Sequence, residues 1–200
     1  MYRVLYPALM VAACTPAEQP LLVDSVENQT AVAVGRQPPL PLDTIRQAAR
    51  EAANRRFRAS CGTVAIPDSA FVPVEVSGGG YPEYAVFFGA ARCEATGAST
   101  HFSSAGDALV QIWSASGDVP ELLLSHAMRG FTPTGAGLVS FQHGGSCDGG
   151  VGAQTCVVTY GWRGPADGLE VRTRRQFGPG RPGKAPAIAY GWNHPERPEQ

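Results

Sequence analysis

The sequence predicts a mostly β domain of the α+β kind: an antiparallel sandwich or partial barrel with one N-terminal helix and a disulfide-stapled hairpin. Three observations predict it. Short apolar runs recur between turn residues from position 60 onward, in a chain of 200 residues with 24 glycines and 17 prolines. One stretch, residues 43–57, reads convincingly as a helix. Two cysteines, Cys147 and Cys156, stand near the ends of a Gly-rich loop between two strand-like segments.

The length suits one domain with appendages. Residues 1–13 read as a signal peptide, 14–42 as a Pro-rich tether, 43–177 as a single β-rich domain and 178–200 as a disordered Pro/Gly-rich tail. Within that tail, residues 187–192 (AIAYGW) form a strand-like piece that echoes VTYGW at 158–162. The formal net charge is -1, so nothing points to a nucleic-acid partner, which needs a clustered basic footprint.

The helix, DTIRQAAREAANRRF, has Asp43 or Thr44 as its cap. Ile45, Ala48, Ala49, Ala52 and Phe57 form its apolar stripe. Arg46, Arg50, Arg55, Arg56 and Arg58 crowd the other face and the C-terminal end, where the helix dipole favours cations, and read as a solvated face.

Strands are expected at 63–66, 70–76, 83–89, 108–114, 121–128, 137–142, 155–162 and 168–174, with a helix as the alternative for 121–128. In the eighth, Glu170, Arg172 and Arg174 alternate with Val171, Thr173 and Arg175, a polar strand that belongs at a sheet edge. Val139, Phe141 and His143 alternate with Ser140 and Gln142, as on a half-buried strand. With Cys14 set aside, four cysteines allow three pairings. Cys147–Cys156 across the short loop and Cys61–Cys93 between extended segments are the expected ones.

The N-terminus, MYRVLYPALMVAAC, has a positive start at Arg3 and an apolar run too short to span a bilayer. It resembles a bacterial lipoprotein signal, whose lipobox ends in small residues before a cysteine, here Val11-Ala12-Ala13-Cys14. The resemblance implies cleavage before Cys14 and a diacylglycerol on its thiol. Thr15 stands where an Asp would resemble an inner-membrane retention signal. The implied location is therefore the periplasmic face of a Gram-negative outer membrane, with a soluble periplasmic or secreted protein as the alternative.

Residues 75–83, EVSGGGYPE, run into the apolar segment YAVFF. The loop resembles the D-x-N-G-D-G-x-x-D calcium loop of FG-GAP and VCBS-type repeats. Glu75 falls on the first acidic position, Ser77 on the third position and Glu83 on the last acid, while Gly79 replaces the central acid and Gly80 keeps the turn glycine. Calcium wants six to eight hard oxygens, so weak or absent binding is expected. His143, Gly145, Ser146, Cys147, Gly152, Ala153, Cys156, Trp162 and Gly164 resemble a pattern in small secreted Gram-negative proteins of unassigned activity, which implies a fold and little more.

No catalytic residues are expected. His143, Ser146 and Asp148 are close in sequence, but a nucleophile elbow needs G-x-S-x-G and Asp148 occupies the second Gly position. His101, His126, His143 and His194 lack metal-ligand spacing, and exported cysteines favour disulfides over zinc, so neither metal nor cofactor is expected. The leading reading is an envelope-anchored, non-catalytic binding or structural module with a protein or glycan partner. An envelope hydrolase using His143 is one alternative. A lysozyme-inhibitor-like protein, similar in lipobox, small β domain and internal disulfide, is another.

Overall fold

The computed structural model describes residues 38–80, 82–99, 107–164, 167–180 and 183–191, all of which belong to the unit Gln37–Gln200. Its first element is α1, Leu42–Cys61. Ile45, Ala49, Ala53, Phe57 and Cys61 are buried, every fourth residue. At 3.6 residues per turn such a row drifts by about 40° per step, so the stripe winds slowly round the helix. The alanines let the backbone sit close to what it covers, and Phe57 packs edge-on against Phe88.

Two expectations about α1 are corrected. Neither Asp43 nor Thr44 caps it; Pro41 is the N-cap, without a side-chain bond, and Asp43 instead pairs with Arg46 inside the first turn at 2.9 Å. The helix also runs past Phe57 to Cys61. It stops where Gly62 adopts φ 71° and returns its N–H to the Arg58 carbonyl, a turn that glycine makes without a Cβ penalty.

Eleven strands follow among the described residues. The first five are β1 Val64–Ala65, β2 Phe71–Val74, β3 Glu83–Phe87, β4 Arg92–Cys93 and β5 Ala108–Ser114. Next come β6 Glu121–Met128, β7 Gly130–Pro133, β8 Gly137–His143, β9 Thr155–Trp162, β10 Leu169–Phe177 and β11 Tyr190–Gly191. Every pairing is antiparallel. One sheet has the order β2-β3-β5-β6, a second β10-β9-β8-β7-β11, and β1-β4 make a small ribbon. The segment 121–128 is thus a strand, paired along its length with β5.

The first sheet is sandwiched. Phe71, Val86, Leu109 and Trp113 join the helix cluster, while Ala85, Phe87, Val110 and Ile112 join the core shared with the second sheet. That is why all seven residues of β5 are buried. Only Arg129 separates β6 from β7, and its N–H donates to the Phe141 carbonyl at 2.7 Å. One nearly continuous strand therefore passes from the first sheet into the second, a corner of the kind that joins crossed sheets. The sheets do not close into a barrel.

On β8 the half-buried reading is corrected. Leu138, Ser140, Phe141 and Gln142 are all buried, with Phe141 on the outer face among Val157 and Phe177. At β8 the second sheet is covered on both sides, and Ser140 and Gln142 point inward. The tail is also corrected in part. Tyr190 pairs with Phe131 across β11 and β7, and their rings stack at 5.2 Å, so the folded domain extends beyond residue 177. Both expected disulfides are present, Cys61–Cys93 and Cys147–Cys156.

Candidate functional site

The chemistry-bearing residues gather where the β6–β7 corner meets the start of β5, the end of β8 and the start of β9. Asp107, just before β5, is buried; its Oδ2 accepts the His143 N–H at 2.9 Å. Its Oδ1 lies 3.4 Å from Arg129 Nε. The Arg129 guanidinium donates in turn to Thr155 Oγ1 at 3.5 Å. A buried carboxylate is costly without such partners, and here the pair ties the start of β5 and the β6–β7 corner to the end of β8 and the start of β9.

His143 closes β8 and caps the turn that follows. Its Nδ1 accepts the Gly145 N–H at 3.2 Å, so the ring hydrogen sits on Nε2. That edge faces Gly152, where a Cβ would stand only 2.9 Å from Nε2. The Ser146 and Asp148 carbonyls accept from Arg174 at 3.0 Å and Gln176 at 2.8 Å, both on β10. Among the described residues, no hydrogen bond or ion pair joins His143 to the side chain of Ser146 or Asp148. The loop is built from close backbone approaches and closed by Cys147–Cys156, both buried.

A polar chain runs through the core between the sheets. The Gln142 amide nitrogen donates to Ser140 Oγ at 2.9 Å and to the Tyr160 hydroxyl at 3.4 Å. Its Oε1 is then the acceptor for His126 Nε2 at 3.0 Å, which assigns the hydrogen to Nε2 of that ring. Burial pushes the Tyr160 phenol up from its ordinary range, against the hydrogen bonds from Gln142 and Ser140 and the Arg174 charge.

At the 75–83 loop, Glu83 is 1% exposed. Its Oε2 accepts the Val76 N–H at 2.6 Å and the Ser77 N–H at 3.2 Å. Burial pushes this carboxyl up, opposed by the bonds from Ser77 and Val76, with the Glu75 charge adding a smaller upward push. Glu75 is exposed, and Ser77 Oγ accepts the Gly79 N–H at 3.2 Å. Glu83 thus latches the loop from inside, whereas Glu75 is exposed. Among the described residues no group of three or more His, Cys, Asp or Glu could hold a metal ion.

Two charged surfaces complete the picture. On α1, Arg46 reaches Asp68 at 3.4 Å and lies over the Phe71 ring at 5.8 Å, and Arg56 lies over Phe57 at 5.8 Å. The strand β10 is the edge of the second sheet, as its charge pattern predicts, and is exposed from Glu170 to Arg175. An open cleft of about 510 Å³ beside the β9–β10 turn is lined by Arg163, Asp167 and Glu170. Cys14 and its lipobox, His101 and His194 lie outside the described residues.

Sequence reasoning found His143 and both disulfides but missed Asp107, Arg129 and the Gln142–Tyr160 chain. The available signal was polarity in the wrong place: Ser140 and Gln142 inside an otherwise apolar strand, and Asp107 directly before the apolar run of β5. Fold and site together define a helix-backed, disulfide-stapled pair of antiparallel sheets with a rigid polar corner. No family model matches the chain, and neither a curated protein nor a solved structure matches it.

Proposed function

We propose that this chain is an envelope-anchored, non-catalytic binding module whose disulfide-stapled domain is presented to a protein or glycan partner by a lipid on Cys14. The observation that carries the non-catalytic part is the commitment of His143. Its Nδ1 caps the loop, its backbone N–H is held by Asp107 and its Nε2 edge packs over Gly152. A general base needs hydrogen-bond reach to the group it deprotonates, and no nucleophile shares a bond with this ring among the described residues. Rigid loops on a stapled scaffold are the usual place for recognition.

The test is a pull-down from envelope extract with the soluble domain, run beside a substrate screen for hydrolysis. The expected result is a reproducible partner and no hydrolytic activity. An activity abolished by His143→Ala, with the circular dichroism spectrum unchanged, overturns the reading. The anchor is tested separately: wild type should partition with membranes and Cys14→Ala should not.

A further inference from the structure

We infer that the outer edge of β10 is a strand-addition site for an extended acidic peptide segment. The inference rests on the binding-module reading and names the chemistry of the partner. Among the described residues β10 pairs only with β9, so its other side presents a row of backbone N–H and C=O groups. An extended peptide completes such a row by adding a strand, with side chains supplying selectivity. At nine residues, β10 is long enough to offer several ladder bonds.

Charge selects the occupant. Glu170 is neutralised by Arg163 at 2.7 Å and by Arg172 at 3.3 Å. Arg174 donates to the Ser146 carbonyl and Arg175 lies over the Phe177 ring at 5.6 Å, so neither meets a carboxylate among the described residues. Both faces of the edge therefore carry uncompensated positive charge, Arg174 on the side of Val158 and Arg175 on the side of Val157. A second copy added antiparallel about Thr173 would set Arg172 against Arg174, and like charges directly opposite destabilise a sheet. Alternating carboxylates on an incoming strand would meet these arginines instead. The bulge at Arg172 twists the strand locally and limits the matching register to the Thr173–Phe177 half.

The experiment uses the full chain and a short end-capped peptide of alternating Glu and Val, read by fluorescence anisotropy. Saturable binding that weakens with salt is expected. Arg174→Glu combined with Arg175→Glu should weaken it by at least about tenfold, and the milder Arg174→Gln with Arg175→Gln by less. N-methylating alternate peptide amides should abolish it, because that removes ladder donors while leaving charge intact. Absence of binding, or equal binding by the N-methylated peptide or by an anionic glycan, overturns the inference; the last two would mark a polyanion surface. An envelope partner held equally by wild type and the charge-reversed variant also overturns it, while leaving the binding-module reading in place. Capture of no partner at all removes that reading itself.

Discussion

Glu83 shows how one residue couples loop shape to pH. Its carboxylate satisfies two backbone N–H groups in a place where water is excluded. Glu83→Ala leaves both donors without a protein partner and should cost about 1–3 kcal/mol, measurable by urea unfolding. Because burial raises its folded-state pKa above the ordinary carboxyl value, this group's contribution is fully present below that ordinary value. It is lost as pH rises through the raised one. Glu83→Gln keeps an acceptor without the charge. The stability of wild type relative to Glu83→Gln should therefore improve as pH falls toward 4 from neutrality; a flat difference in melting temperature across that range counts against the assignment. Gly150 gives a steric test. A Cβ there would stand 1.8 Å from the Gly144 carbonyl oxygen, whereas one at Gly149 would meet nothing within 4 Å. Gly150→Ala should thus unfold the loop or cost more than about 3 kcal/mol. Gly149→Ala should cost about 1–2 kcal/mol, for its left-handed backbone alone, by thermal denaturation.

At the scale of elements, the two disulfides do different work. Cys61–Cys93 spans 32 residues and pins the end of α1 to the β1–β4 ribbon; Cys147–Cys156 spans 9 and pins the β8–β9 hairpin. Chain-entropy arguments give about 3–4 kcal/mol for the longer loop and about 2–3 for the shorter. Replacing both cysteines of each pair by Ser should reproduce that order in denaturant midpoints. The elements most legible in the sequence were those whose pattern is local. The apolar run of β5, the Gly-rich hairpin and the charged edge of β10 announce themselves within a few residues. What was illegible depends on contacts made across the fold. The continuation of α1 to Cys61 passes through exposed Arg58, Ala59 and Ser60, which carry no stripe, and is held by buried Cys61 and its bond to Cys93. The inward turn of Ser140 and Gln142 is acceptable only because Tyr160 and His126 arrive from other strands to satisfy them. The strand β11 has only two residues and exists through its partner β7. The site followed the same rule: His143 was visible as a residue, but its ties to Asp107, 36 positions away, were not.

For the whole molecule, the domain boundary is the quantity to test. Tyr190 is buried, stacks on Phe131, and sits against Gly130, where a Cβ would lie 2.3 Å from the Tyr190 carbonyl oxygen. Tyr190→Ala should therefore destabilise the domain by about 3 kcal/mol, the scale of a large aromatic removed from a core. An unchanged urea midpoint would return residues 178–200 to the status of a tail. The corner at Arg129 carries a further consequence for how the molecule comes apart. Because β6 and β7 form one nearly continuous strand that pairs with β5 in the first sheet and with β8 in the second, neither ladder can open without dragging the other. Amide protons on β5 and β8 should then exchange with deuterium through a common opening, with equal protection free energies, as one cooperative block rather than two.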